Sequence, residues 1–119
     1  MKNIFARLSA IFLSIFFFGA FSSVTAAPAP TPGEALYTQY CSVCHGELGA
    51  GTKNGPPLVH RIYHPNHHGD MAFYFAVERG VVAHHWRFGD MPKTKGIKKE
   101  ETAEIIRYIR GLQKEEGIF

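Results

Sequence analysis

Apolar and polar positions change rhythm several times along the chain. Leu8 to Phe21 is an almost unbroken apolar run, preceded by Lys2 and Arg7 and followed by the small residues Val24-Thr25-Ala26. A positive start, an apolar middle and a small-residue end are the three parts of a secretory signal peptide. The run falls short of the roughly 20 residues that a membrane-spanning helix needs. Residues 1–26 are therefore expected to be a signal peptide, cleaved after Ala26. Residues 27–32 form a short tether and helix cap, because the Pro/Ala segment Ala27 to Pro30 cannot hold a regular hydrogen-bonded structure. Residues 33–119 are expected to form the folded domain.

Helical rhythm begins at Thr31-Pro32-Gly33-Glu34, which has the form of a capping box with proline at the first helical position. The spacing predicts a helix from Pro32 to about Cys44, with Leu36, Tyr37, Tyr40 and Cys44 on its apolar stripe. Gly46 to Gly55 is too rich in glycine for helix or strand. A second helix is predicted over Asp70 to Gly80, with Gly69 or Asp70 at its cap and Gly80 as its stop. Phe73, Phe75 and Val77 read as packing residues there, and Met71 as flexible filler. A last helix is predicted from about Lys99 to Glu115, with Thr102, Ile105, Ile106, Ile109 and Leu112 on one side. Its start lacks a Ser, Thr or Asp cap, although Glu100 and Glu101 complement the dipole. Gly117 is the expected stop, with Ile118 and Phe119 folding back. No run of alternating strands appears, so the fold class is all-α.

Composition changes this picture in two ways. The formal charge of +3 includes Lys2 and Arg7, so the exported chain carries +1 and implies no nucleic-acid partner. A domain this small buries a limited share of its surface and gains from a cofactor at its centre.

Cysteine usage points to that cofactor. The chain holds two cysteines, in Cys41-Ser42-Val43-Cys44-His45, which matches the attachment signature of a c-type haem. One helical turn presents both sulfurs along a porphyrin edge, where each forms a thioether, and places His45 to give a nitrogen to the iron. A thioredoxin-like dithiol is the main rival, but that fold needs a βαβ sheet. A structural zinc site lacks a second Cys or His pair at finger spacing.

From Gly33 to Leu112 the chain resembles the class I c-type cytochromes, small monohaem electron carriers. Gly33, Tyr37 and Cys41 reproduce the family's spacing on the first helix, and Ile105 with Tyr108 matches the pair that crosses it on the last. The resemblance implies a cytochrome c fold, three to four short helices and loops wrapped around one haem c bound covalently through Cys41 and Cys44. It implies Met91, in Gly89-Asp90-Met91-Pro92, as the distal ligand opposite His45. It also implies the carbonyl of Pro56, in Gly55-Pro56-Pro57-Leu58, as acceptor for the other ring N–H of His45, and Trp86 as a donor to a haem propionate. A His/Met pair raises the reduction potential relative to two imidazoles.

The histidines leave alternatives open. His60, His64, His67 and His68 fall within nine residues. They are read as copper or zinc ligands, as a competing iron ligand or as a solvated loop, and His60 with Arg61 as donors to the propionates. His84 or His85 in place of Met91 would give a bis-His centre. Lys93, Lys95, Lys98 and Lys99 either steer an acidic partner or form a solvated face beside Glu100, Glu101 and Glu104.

The expected function is one-electron transfer in the periplasmic respiratory chain by a monomer that is not an enzyme. Its partners would be donor and acceptor redox proteins, with association to a membrane complex left open. Two rivals remain. One is a haem sensor or peroxidase-like enzyme, in which Met91 leaves the iron and His84, His85 or Arg87 acts as acid–base group. The other is a histidine-rich copper-binding module.

Overall fold

Thr31 opens the first helix by reciprocal capping: its hydroxyl accepts the Glu34 N–H at 3.2 Å, and the Glu34 carboxylate accepts the Thr31 N–H at 3.4 Å. The structure, a computed structural model, describes residues 27–119, and the signal-peptide reading of residues 1–26 lies outside the described residues. In chain order the helices are α1 (Pro32–Tyr40), α2 (Ser42–His45), α3 (Asp70–Arg79) and α4 (Lys99–Glu115). Short 3-10 turns occupy Glu47–Gly49 and Arg61–Tyr63. No strand occurs among the described residues, only isolated bridges between Thr52 and Gly55 and between Val81 and Met91. The protein is all-α, as the periodicity predicts. No helix of the described residues is long and apolar enough to cross a membrane.

One predicted helix is two. Cys41 leaves helical geometry at φ −120° and ψ −36°, ending α1 and starting α2. The chain stays pinned across this break, because Cys41 N–H reaches Tyr37 O at 2.8 Å while His45 N–H returns to Cys41 O at 2.9 Å. The Cys-x-x-Cys-His turn is thereby a short helix of its own rather than the end of α1.

α1 crosses α4 at Gly33, where a Cβ would run into the Glu104 carbonyl and, at 3.0 Å, the Tyr108 Cβ. Glycine is what permits this approach. One turn on, Tyr37 is 1% exposed and packs its ring 5.4 Å from that of Tyr108. Leu58, Ile105 and Ile109 complete the buried core around it. Burying side chains of this size contributes about 1.5–3 kcal/mol each.

α4 resolves its missing cap through its third residue, since the Glu101 carboxylate accepts the Lys98 N–H at 2.7 Å. It ends in a Schellman motif: Gly117, at φ +68°, donates to Lys114 O at 3.0 Å, and Ile118 donates to Gln113 O at 2.9 Å. The Phe119 ring then folds back, edge-on to His64 at 5.9 Å. The apolar stripe needs a correction at this end. Gln113, not Leu112, is the buried residue, at 0% exposure. Its amide donates to Leu58 O at 2.8 Å and its carbonyl accepts from Arg110 at 2.7 Å, so a polar side chain is satisfied where an apolar one was expected.

α3 starts after Gly69 and stops at Gly80, whose φ of +82° ends the helix. None of its residues is fully buried. Phe73, Ala76 and Val77 face a cavity instead, and Phe75 stands at its margin, partly exposed with Arg79 over its ring at 4.5 Å.

Candidate functional site

The cavity measures about 730 Å³, within the ~300–1,000 Å³ usual for cofactor and ligand sites. Its apolar wall comes from α3 and from Ile105, Ile106 and Ile109 of α4. Cys41, Cys44 and His45 line it, and so do Pro56, Trp86 and Met91. Six of the seven residues expected to hold a cofactor are thus gathered by parts of the chain up to 50 residues apart, from Cys41 to Met91.

The glycine-rich loop positions His45. Gly46, at φ +76°, passes so close to the Gly51 carbonyl that a Cβ would lie 2.5 Å from it. Gly51 N–H donates to His45 O at 2.6 Å, and Thr52 Oγ1 donates to Cys44 O at 2.6 Å. Folded over the end of α2 in this way, the loop brings Pro56 O to 2.8 Å from His45 Nδ1. A carbonyl only accepts, so Nδ1 carries the proton and Nε2 keeps its lone pair. Burial lowers the pKa of this imidazole, against the opposing hydrogen bond to Pro56. His45 is thereby held in one tautomer, with Nε2 free to coordinate.

The surroundings of Cys41 are opposite to those of a redox-active thiol. Burial, with the nearby Cys44, pushes the Cys41 thiol up to about 11. A thioredoxin-like dithiol needs its pKa lowered, and it needs a sheet; neither is present among the described residues.

Met91 is fixed through its backbone. Val81 and Met91 exchange both N–H···O bonds at 2.9 Å, and Gly80 leaves no room for a Cβ beside the Met91 carbonyl. Thr94 N–H to Val77 O, at 2.9 Å, ties the following residues to α3. Asp90 accepts the Ala83 N–H at 2.9 Å and closes the loop between the bridged residues. Met71, by contrast, is 55% exposed and lies outside the cavity.

Trp86 carries an observation of its own. Its indole Nε1 is buried and makes no hydrogen bond of good geometry among the described residues, with the Tyr63 side chain beside it and the ring packed by His60 at 5.0 Å and Phe88 at 6.2 Å. Leaving such a donor unpaired costs about 1–3 kcal/mol. An acceptor delivered by a ligand in this cavity would satisfy it. A thiol pair, a neutral imidazole, a thioether, apolar walls and an orphaned donor together fit a haem with acidic substituents.

Arg61 does not join the site. It is exposed on the 61–63 turn, outside the cavity, because His60 Nδ1 caps that turn through the Ile62 N–H at 3.2 Å and leaves Arg61 on the solvent side. His68, His84 and His85 do line the cavity, whereas Arg87 does not. Lys93 stands at the cavity and is exposed, as are Lys95, Lys98 and Lys99. None of the four forms an ion pair among the described residues.

Sequence reasoning missed Arg110. Its guanidinium donates to Tyr63 O at 2.6 Å, His68 O at 2.6 Å, Gln113 Oε1 at 2.7 Å and Asp70 Oδ1 at 2.9 Å. It fastens the histidine segment and the start of α3 to α4. The signal was the Arg110/Gln113 pair, three residues apart, on the flank of the Ile106/Ile109 stripe.

Comparison with known proteins adds one finding. The family model described as cytochrome c oxidase, cbb3-type, subunit III matches residues 28–109. No curated protein and no solved structure matches the chain.

Proposed function

The chain belongs to the family of cytochrome c oxidase, cbb3-type, subunit III, as a c-type cytochrome domain, and on that premise we propose that it is a periplasmic one-electron carrier with His45 and Met91 as axial ligands. The observation that carries the reading is that one apolar cavity receives both thiols of the attachment motif, a tautomer-fixed His45 and Met91. Bound through Cys41 and Cys44, haem c supplies reversible one-electron chemistry.

The residues keep that centre rigid and dry. Pro56 orients His45, the Val81 bridge holds the Met91 backbone, and Trp86 offers its N–H to an acidic substituent. If His45 and Met91 both hold the iron, no position would be left for a substrate, which favours a carrier over an enzyme. Lys93 stands at the cavity, and with the exposed Lys95, Lys98 and Lys99 that follow it in the chain it suits an acidic redox partner, with respiratory donors and acceptors as the class. The protein acts as a monomer, and its association with a membrane complex follows from which partner it meets.

Reduced and oxidised visible spectra of the purified protein and of Met91→Ala test this. The expected result is a ferric far-red sulfur band in the wild type that the variant loses. An unaltered variant spectrum would transfer the ligand role to a histidine. The sensor or peroxidase reading draws on His84 and His85 lining the cavity. It requires carbon monoxide to change the ferrous spectrum of the wild type, whereas the carrier reading requires no change.

A further inference from the structure

Three histidines that the electron-carrier reading does not use converge at the edge of the cavity. His67 and His68 come from the turn after the 61–63 segment, and His85 from the loop between Val81 and Met91. Their ring centroids form a triangle of 4.6, 5.1 and 5.1 Å. One nitrogen from each ring lies within 4.8 Å of the other two. We propose that His67, His68 and His85 form a second metal site, for a divalent transition ion of the zinc or copper class, separate from the iron.

The geometry is close to what such an ion requires. His67 Nε2 and His85 Nε2 stand 3.2 Å apart. Two imidazole nitrogens bound to one tetrahedral zinc at ~2.0–2.1 Å are separated by roughly 3.3 Å. A hydrogen bond between these two rings accounts for one pair and leaves the approach of the third nitrogen unexplained. An ion accounts for all three.

The surrounding shell is that of a ligand set. His68 donates its Nδ1–H to Ile62 O at 2.8 Å, which leaves Nε2 with a free lone pair. A ligating histidine is ordinarily oriented by such a bond. The turn bearing His67 and His68 is itself fixed, because both N–H groups reach His64 O, at 2.8 and 2.9 Å, and Arg110 holds His68 O at 2.6 Å. Asp90, through the Ala83 N–H, and the Val81–Met91 bridge brace the loop that carries His85.

Ligand chemistry narrows the ion. Three imidazoles without a carboxylate suit Zn²⁺ or Cu²⁺ and not the oxygen-seeking Mg²⁺ or Ca²⁺. His67 and His85 are exposed, so the ion reaches the site from solvent and the fourth position falls to water. His68 and His85 also line the cavity, and the carrier reading assigns neither of them to the iron.

Calorimetric titration of the untagged, haem-loaded protein with Zn²⁺ tests the proposal. One equivalent is expected to bind, with Cu²⁺ binding more tightly in a parallel titration. His67→Asn and His85→Asn, both at exposed positions, are each expected to weaken binding ~10–100-fold, whereas His64→Asn, outside the triangle, leaves it unchanged. Zinc-edge absorption on the wild type, independent of any variant, is expected to show three imidazoles at ~2.0–2.1 Å. No binding, binding unchanged in both variants, equal weakening by His64→Asn, or fewer than two imidazoles at the edge would each overturn the proposal. Haem content is read separately from the visible spectrum, so failure here leaves the carrier reading intact.

Discussion

His45 donates its Nδ1–H to the carbonyl of Pro56 across 2.8 Å, and the ten residues between them are folded largely to make that contact. Gly46, Gly51 and Gly55 let the loop fold on itself and against α2, since an added Cβ would meet Gly51, Pro57 and Cys44 respectively. The single hydrogen bond decides which nitrogen of His45 is available as a ligand. Replacing Gly51 by Ala sets a Cβ 2.7 Å from Pro57 N at a φ of +83°. The expected outcome is a loss of about 1–3 kcal/mol in urea unfolding of the holoprotein, with a broadened histidine-ligand signal by NMR.

The crossing of α1 and α4 gives a contrast between two glycines. Gly33→Ala forces a Cβ onto the Glu104 carbonyl and is expected to destabilise by about 1–3 kcal/mol. Gly111, in the interior of α4, has nothing within 4 Å of the same added atom. Gly111→Ala is expected to stabilise by about 0.5–1 kcal/mol. Opposite shifts of the urea midpoint for the two variants check both.

Gln113 and Arg110 make a second, polar core. Gln113→Leu keeps the volume but strands Leu58 O and one Arg110 N–H. The expected cost is about 1–3 kcal/mol, because buried partners lose their hydrogen bonds. Faster amide exchange through His64 to His68 is expected in Arg110→Met, which frees Tyr63 O and His68 O.

Tyr37 predicts the response to alkali. Its phenol is raised well above the ordinary value by burial, then by the neighbouring Cys41 and Tyr108, and it donates to Gly46 O at 2.7 Å. The folded state therefore retains a proton that the unfolded chain releases near pH ~10. Stability from this group is complete below that pH and declines as pH rises above it. Thermal unfolding followed from pH 8 to 11 is expected to show this decline in the wild type. Tyr37→Phe, about 1–3 kcal/mol less stable at pH 8 because Gly46 O loses its donor, is expected to show a shallower one.

Much of the molecule was legible in local spacing. Thr31 with Glu34 marks the start of α1, Gly80 the end of α3, and the isoleucines of α4 its buried face, because caps and periodicity depend on residues three or four apart. Cys41-Ser42-Val43-Cys44-His45 was legible for the same reason: attachment chemistry needs its groups within one turn. The break at Cys41 was not legible, since a run of good helix positions does not reveal which backbone carbonyl will be shared at a corner.

What only the tertiary structure decided involves partners far apart in the chain. Arg110 clamps carbonyls more than 40 residues away, Gln113 is buried because Leu58 O awaits it, and Arg61 is left in solvent by the turn it sits on. The histidines show the division most clearly. Composition showed that they were numerous, but only folding brought His85 to His67 across 18 residues and left His60 against Trp86 instead. Ligand geometry is a property of distances between segments. Those distances are set by packing of α3 and α4, not by the order of residues in either loop.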